Sequence, residues 1–327
     1  SSAKEETLYR EAISKCPSMP ESYYNLAVLL EKKGDLKGAV TNFAKASEIR
    51  PGNRFDFAHA HALVKLGNLS QAKDIYQSYI EKDKDSLEAL VGLAHIKSVE
   101  GKTEDAITDL YKAKDIDSKN LLVLYNLAVL LERLQRFDEA MVFYDSAIAV
   151  DNKHLDSQIR AGLVSLELND CARGAKYLET AAGIDSNNLT VLRALGVCYE
   201  RLKLYERAEL SLNKALKLEP QDVSTSVNLA IVLIKTKRES MAEEILLKIE
   251  ESKRTAKLYS ALGWAQLELG KYRDSEKNLR SALQDNSSDK IALENLKTLY
   301  RRTGREESIE SILTELNLTE KSEILEK

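Results

Sequence analysis

The fold is decided by the stretch from Leu121 to His154, LLVLYNLAVLLERLQRFDEAMVFYDSAIAVDNKH. In each half of this stretch the apolar residues recur at steps of three and four, which places them on one face of an α-helix. Two amphipathic helices joined by a short turn bury these faces against each other. The stretch therefore predicts a helix, a turn and a second helix.

Small residues show that this unit is repeated along the chain. One set lies at intervals of 33 or 34 residues and consists of Ala27, Ala60, Ala94, Ala128, Gly162, Gly196, Ala230 and Gly263. A second set follows twelve residues later in each unit and consists of Ala39, Ala72, Ala106, Ala140, Gly174, Ala208, Ala242 and Ser275. Two small residues per unit indicate two close helix contacts per unit, and a fixed period of this length is typical of a solenoid.

The turn between the two helices falls at one position in every unit. That position holds Gly34, Gly67, Gly101, Gln135, Asn169, Lys203, Lys237, Gly270 and Gly304. Glycine is favoured where a helix ends in a left-handed conformation, so the glycines support the predicted helix ends. Two intervals are one residue short, near Asn53 and near Arg254, and we expect the connecting loops to absorb the difference.

The period divides the chain into a central array and two ends. We predict eight full units over residues 20–289, at 20–52, 53–86, 87–120, 121–154, 155–188, 189–222, 223–255 and 256–289. Residues 1–19 match only the second helix of a unit, so they are either the remnant of a truncated repeat or an N-terminal cap. Residues 290–327 are predicted to be a C-terminal capping repeat followed by a polar tail.

Composition narrows the classes of function. The net charge is −4, and binding to nucleic acid as the main activity requires a basic surface. No run of about twenty apolar residues predicts a membrane span. The odd number of cysteines, Cys16, Cys171 and Cys198, argues against a disulfide framework and favours a cytoplasmic location. A processed bacterial envelope lipoprotein is the alternative.

The histidines do not form a catalytic pattern. The chain holds four, at positions 59, 61, 95 and 154, and none lies in an HExxH or similar motif. We therefore predict no enzymatic activity, no cofactor and no metal site. His61 and His95 occupy the same position in adjacent units and should project side by side. A pH-sensitive patch is the favoured interpretation of this pair, and a shared metal ion is the less favoured one.

The repeat resembles that of the tetratricopeptide repeat (TPR) family. Residues 189–222 carry the family's pattern at Leu192, Leu195, Gly196, Tyr199, Tyr205, Ala208, Leu212, Ala215 and Pro220. The resemblance implies an all-α solenoid, a right-handed superhelix of antiparallel helix pairs with about eight full repeats plus terminal caps. It also implies that the first helices line the concave face of this superhelix.

The resemblance places the candidate partner-binding groove on those first helices. The fifth and ninth residues of the units are mostly apolar, and asparagine recurs at the sixth. The groove residues are Tyr24, Asn25, Phe57, His61, His95, Tyr125, Asn126, Val129, Ile159, Arg160, Leu163, Arg193, Asn228 and Trp264. The asparagines look like the ladder in O-linked N-acetylglucosamine transferases. Packing between adjacent first helices is the alternative role for the whole set.

Three functions follow from the resemblance. The first is a non-catalytic scaffold or adaptor that binds a peptide or helical segment of a partner protein in its groove. The second is the substrate-recruiting arm of a larger enzyme or multi-subunit complex. The third is a co-chaperone, and it is the weakest because a carboxylate clamp matches only at Asn126 and Arg160, while Asp156 would repel a carboxylate.

Overall fold

The computed structural model describes residues 2–306, 309, 310 and 314. Over this part of the chain the regular elements are eighteen α-helices and one short 3₁₀ helix. Each predicted unit contributes one first helix and one second helix. The observed architecture is thus the predicted all-α array of antiparallel helix pairs.

The helix bounds follow the period of the small residues. The first helices are α2 (Pro20–Lys32), α4 (Asn53–Leu66), α6 (Leu87–Val99), α8 (Leu121–Arg133), α10 (Leu155–Glu167), α12 (Leu189–Arg201), α14 (Val223–Lys235), α16 (Ala256–Glu268) and α18 (Lys290–Arg302). The second helices are α1 (Ser2–Lys15), α3 (Leu36–Ile49), α5 (Leu69–Lys82), α7 (Thr103–Ile116), α9 (Phe137–Val150), α11 (Cys171–Ile184), α13 (Tyr205–Leu218), α15 (Glu239–Leu247) and α17 (Tyr272–Asp285).

The turns between paired helices adopt the left-handed conformation that the sequence predicts. All nine turn residues have a positive φ, from 58° at Gln135 to 91° at Gly67. Four of them are not glycine, and these four have φ between 58° and 62°. That range lies in the small left-handed region open to residues with a Cβ atom, so these units keep the turn at some cost in free energy.

The described part of the chain forms two compact units, which divide between Ser157 and Gln158. In the first unit α1 packs against α2, with Tyr9 and Ile13 beside a core formed by α2, α3 and α4. Leu8 on the same helix stays 55% exposed. The single second helix at the start of the chain therefore covers only part of its apolar surface.

The small residues of the second unit lie where two helices cross closely. A Cβ atom added to Gly196 in α12 would lie 2.5 Å from the side chain of Leu212 in α13, and Leu212 is fully buried. Gly162 faces Leu178, and Gly263 faces Leu279, in the same way. The predicted close contacts are thus confirmed, and the first helix of each of these repeats leaves room for one leucine of the second.

The unit 223–255, which is one residue short, differs from its neighbours in the length of its second helix and not in a shorter loop. Its second helix, α15, has nine residues, whereas the neighbouring α13 and α17 have fourteen. The 3₁₀ helix Glu251–Lys253 follows it, and the Arg254 guanidinium donates hydrogen bonds to the carbonyls of Leu247 and Ile249. The expectation that loops absorb the missing residue is wrong here, because these side-chain bonds cap the end of a shortened helix.

Candidate protein-interaction surface

A recess opens between the first helices α2 and α4 of the first unit. Its volume is 520 Å³, and Tyr24, Phe57 and His61 line it together with Arg54. The Tyr24 ring meets the Phe43 and Phe55 rings edge to face, with centroids 5.4 and 5.7 Å apart. The Arg54 guanidinium lies 4.7 Å from the centre of the Tyr24 ring. The wall of this recess is therefore aromatic and carries one cation.

A larger recess continues along α4, α6 and α8. It has a volume of 660 Å³ and shares Phe57, His61 and Glu88 with the first recess. Its other lining residues include Val91, His95, Leu122, Asn126, Val129 and Arg133. The Arg133 guanidinium donates a hydrogen bond of 2.9 Å to the Ser98 hydroxyl. Apolar side chains thus form the floor, and an amide and a guanidinium reach it from the sides.

The two histidines of the first unit lie side by side, as the sequence predicts. The ring centroids of His61 and His95 are 6.4 Å apart. Burial, and then the positive charges of Lys65 and the neighbouring His95, lower the pKa of His61, while Glu31 acts in the opposite direction. Burial also lowers the pKa of His95, with Arg133 and Lys65 adding to the effect. Both imidazoles are therefore mostly neutral at pH 7.

Two aromatic residues of the predicted groove also belong to the packing of the repeats. The Phe57 ring lies 4.5 Å from the Tyr79 ring and 5.5 Å from the Tyr76 ring, centre to centre. Tyr125 lies edge-on to His154 at 5.2 Å, and it does not line the recesses described above. For Tyr125 the geometry favours the alternative role, packing within the first unit.

The second unit has a recess of its own on α12, α14 and α16. Its volume is 510 Å³, and half-buried Trp264 lines it with Val197, Asn228 and Ile231. Arg201, Lys257 and Lys290 stand at its edge, together with Glu200 and Asp289. The loop 286–289 before α18 closes one side. Trp264 therefore offers a large apolar surface within a ring of charged side chains.

The remaining predicted groove residues lie outside these three recesses. Asn25 is exposed on α2, and Ile159, Arg160 and Leu163 are half-buried on α10. Arg193 donates to Asp222 at 3.1 Å, so its charge is already paired. Further along the same sequence positions, Val227 and Ser260 are buried. The structure thus brings eight of the predicted residues into recesses: Tyr24, Phe57, His61, His95, Asn126, Val129, Asn228 and Trp264.

Sequence reasoning missed the charged residues at the edges of the recesses. Arg133 and Arg201 both stand at the thirteenth position of a first helix, four residues after the ninth. Residues four apart share a face of a helix, so extending the groove pattern by one turn would have found them. The loop 286–289 carried no such periodic signal.

The described residues were also compared with the requirements of a metal site and of a membrane-spanning helix. Among them, no three His, Cys, Asp or Glu side chains come together in an arrangement that could hold a metal ion. None of the helices seen in residues 2–306 has the length and apolar character needed to cross a membrane.

Family models identify the repeats independently of the period. Models described as tetratricopeptide repeat match residues 8–41, 57–120, 122–154, 190–222 and 260–308. Together these matches cover more than half of the chain. The chain belongs to the tetratricopeptide repeat family.

Relatives and solved structures show where such repeats occur. The chain is 24% identical over 318 residues to protein O-mannosyl-transferase TMTC3 of Homo sapiens, a match that covers 95% of this chain and 33% of that protein. It spans a third or less of the curated relatives that it matches.

Among solved structures, the APC/C hetero-tetramer Cut9-Hcn1 matches at 17% identity and a TM-score of 0.54, over 88% of this chain and 57% of that one. YrrB, described as a TPR protein with an unusual peptide-binding site, matches at 16% identity and a TM-score of 0.51, over 68% of this chain and 97% of that one. These two likenesses establish the fold.

Proposed function

We propose that this chain is a non-catalytic scaffold that binds a peptide or helical segment of a partner protein along its first helices. The observation that carries the proposal is that the first helices of both units hold recesses, two in the first unit and one in the second, each of 510 to 660 Å³ and lined by apolar and amide side chains. A recess of this size takes one or two large side chains of a partner.

The aromatic and the amide residues of the recesses have different roles in the proposed binding. Trp264 and Phe57 offer apolar surface to the partner's side chains, and burial of such aromatic residues supplies most of the free energy at interfaces. Asn126 and Asn228 each line a recess and can both donate and accept a hydrogen bond. An amide that bonds a partner's backbone fixes its position without selecting its sequence.

The scaffold proposal is tested with a recess variant that leaves the core intact. Changing His95, Asn126, Asn228 and Trp264 to alanine removes side chains that are exposed or half-buried. We expect proteins that the parent chain retains from a native extract to be lost by this variant. Their direct affinity, measured by calorimetry with the purified partner, should fall at least about tenfold.

The matched control changes exposed apolar residues that line none of these recesses. Leu210 is 74% exposed and Val142 is 61% exposed, each on the outer surface of a second helix. Leu210→Ala with Val142→Ala should retain the same partners. Equal retention by the recess variant and the parent would contradict the proposal, provided that circular dichroism shows the variant to be folded.

A second candidate function has an observation of its own. The match to an O-mannosyl-transferase covers 95% of this chain but only a third of that protein. This supports the alternative that the repeats are the substrate-recruiting arm of a larger enzyme. The length of the encoding transcript separates the two: a catalytic domain in the same polypeptide would favour the arm, and its absence would favour the scaffold.

We also propose a cytoplasmic location. Support comes from the three cysteines, all of which are free thiols in the structure, with Cys16 exposed. An exposed thiol persists in reducing surroundings. Fractionation of cells that express the tagged full-length protein checks this, and recovery from a secretory fraction would contradict it.

A further inference from the structure

Two buried cysteines of the second unit meet at the boundary between consecutive repeats. Cys171 is the first residue of α11, and Cys198 lies in the last turn of α12. Their relative exposures are 6% and 0%. Burial, and then the adjacent Cys171 thiol, raises the pKa of Cys198, which places the two side chains near each other. These side chains come from the repeats 155–188 and 189–222, which share no other covalent link than the main chain.

A glycine allows α11 to approach α10 closely at this point, and it also lies in contact with Cys198 of α12. A Cβ atom added to Gly174, one turn after Cys171, would lie 3.5 Å from the Cys198 sulfur. The same atom would lie 3.0 Å from the carbonyl oxygen of Gly162 and 3.2 Å from the Ser165 Cβ. The Cys198 sulfur therefore lies in van der Waals contact with the first turn of α11, the turn that begins at Cys171.

We propose that Cys171 and Cys198 form a dithiol site that a small disulfide such as oxidised glutathione converts into an intramolecular disulfide. The proposal does not depend on partner binding. It assigns a modification site to two residues that the interaction surface does not use.

The reaction balances as two successive thiol–disulfide exchanges. The Cys171 thiol loses its proton and attacks one sulfur of glutathione disulfide, which breaks that bond and releases one glutathione thiolate. The Cys198 thiol then loses its proton and attacks the Cys171 sulfur, which releases the second glutathione. The protein gives up two protons and two electrons, and the glutathione disulfide takes up the two electrons as two thiols.

Burial makes the reaction slow in the folded protein. It raises the pKa of Cys198 to about 12, and the adjacent Cys171 thiol adds to this effect. At neutral pH only a very small fraction of Cys198 side chains is then a thiolate, the form that attacks. We therefore expect the disulfide to form readily while the chain folds, and slowly afterwards. In the folded protein its rate should rise as the pH is raised from 7 to 9, because each step is an attack by a thiolate.

The disulfide would join two elements that otherwise separate when the repeats open. It closes a loop from the start of α11 to the last turn of α12, so it restricts the conformations of the unfolded chain and any local opening between these repeats. The array would then have one boundary that depends on the redox state of its surroundings. The other described cysteine, Cys16, is exposed on the first unit and serves as an internal reference for the oxidant.

The experiment uses the whole chain, both folded and refolding from denaturant, with oxidised glutathione at pH 8. After quenching with acid, the free thiols are alkylated and the protein is digested with trypsin without reduction. We expect the peptides 161–173 and 194–201 to appear as one linked species that is 2 mass units lighter than the sum of the two thiol peptides. It should form faster in the refolding sample, while Cys16 carries glutathione in both.

A negative result is equally clear. If Cys16 becomes glutathionylated but no linked peptide forms in either sample, the dithiol proposal is overturned. Cys198→Ala and Cys171→Ala are the matched variants, and neither should give the linked species. A thermal melt of the oxidised and reduced parent chain adds a second readout: the oxidised form should melt about 5 °C or more higher. An unchanged melting temperature in a sample shown to carry the link would overturn the proposed tether.

Discussion

At the scale of single residues, the small residues at the repeated positions determine how closely two paired helices can pack. Gly196 leaves the space that Leu212 fills, and Leu212 is fully buried with no room to withdraw. Protein interiors are close-packed, so one extra methyl group at such a contact displaces a helix or forces an unfavourable rotamer. The small residues therefore set the distance between paired helices.

Gly196→Ala tests this role. The added methyl group would lie 2.5 Å from the Leu212 side chain, and we expect the free energy of unfolding to fall by about 1–3 kcal/mol. Gly183→Ala is the matched control, because Gly183 lies in α11 with nothing within 4 Å of its added Cβ atom. That change should leave stability unchanged or raise it by about 0.5–1 kcal/mol. Urea unfolding monitored by circular dichroism measures both, and equal effects would refute the packing argument.

The sequence predicted these packing positions better than it predicted the surface. Small residues at a fixed period report a requirement that every repeat shares, so Ala27, Gly196 and their equivalents could be found by counting. Tyr125 was assigned to the groove by the same counting, yet its ring packs against Tyr144 and His154. Whether such a side chain faces the groove depends on how far adjacent first helices tilt apart. The period of the sequence does not encode that tilt.

At the scale of the elements, the turn between paired helices is the most regular feature of the fold. All nine turn residues have positive φ, including Gln135, Asn169, Lys203 and Lys237. The geometry is imposed by the packing of the two helices it joins, and residues with a Cβ atom accept it at a cost of about 1 kcal/mol. The fold therefore overrides a local preference at four of its nine turns.

Lys203→Gly should relieve one of these turns. Lys203 is exposed and has φ of 61°, so the change removes backbone strain without touching the core. We expect the free energy of unfolding to rise by about 0.5–1 kcal/mol. The reciprocal variant is Gly270→Lys, where φ is 72°, and it should lower stability by about 1 kcal/mol. If both changes shift the unfolding midpoint in the same direction, the strain argument fails.

Charged side chains also link consecutive repeats of the second unit. Arg238 is the last residue of the turn between α14 and α15. Its guanidinium donates two parallel hydrogen bonds to the Glu209 carboxylate of α13, at 3.0 and 2.6 Å. A guanidinium matches a carboxylate in this way and an ammonium cannot. The sequence alone predicts only that Arg238 and Glu209 are exposed to solvent. It does not reveal that they pair, because they are 29 positions apart and belong to different repeats.

Arg238→Lys measures what the paired geometry contributes. Both side chains are partly exposed, so screening by water limits the effect to about 0.5–1 kcal/mol. Lys248→Arg is the control, because Lys248, the residue after α15, is well exposed and pairs with Glu244 of the same repeat. We expect a small loss of stability for the first variant and none for the second. The loss should shrink at high salt; a loss that salt does not change would indicate packing by the arginine stem instead.

At the scale of the whole molecule, stability is distributed among neighbouring helices rather than held in one centre. Each helix packs mainly against the elements next to it along the chain, as α8 does against α7 and α9. In such an array local opening depends on how many neighbours an element has. The helix α1 packs against α2 and leaves Leu8 exposed, so fewer contacts hold it in place than hold α8.

Amide hydrogen exchange should reveal this difference in local stability between α1 and α8. We expect the amides of α1 to exchange at least about a hundredfold faster than those of α8, because α8 buries Leu127, Ala128 and Leu131 completely between two second helices. Mass spectrometry of peptic fragments after labelling at neutral pH gives both rates at once. Uniform protection across α1 and α8 would show that the array opens only as a whole.

Because α15 is short, an exposed segment follows it in which additional sequence can be inserted. The segment Glu251–Lys253 after it is exposed, carries its own turn and ends in a trypsin site. Loops of this kind accept inserted sequence far better than helix interiors do. A fluorescent reporter or an epitope tag placed after Ser252 would sit outside the recesses on the first helices. Partner capture could then be followed in living cells with both chain ends left untouched.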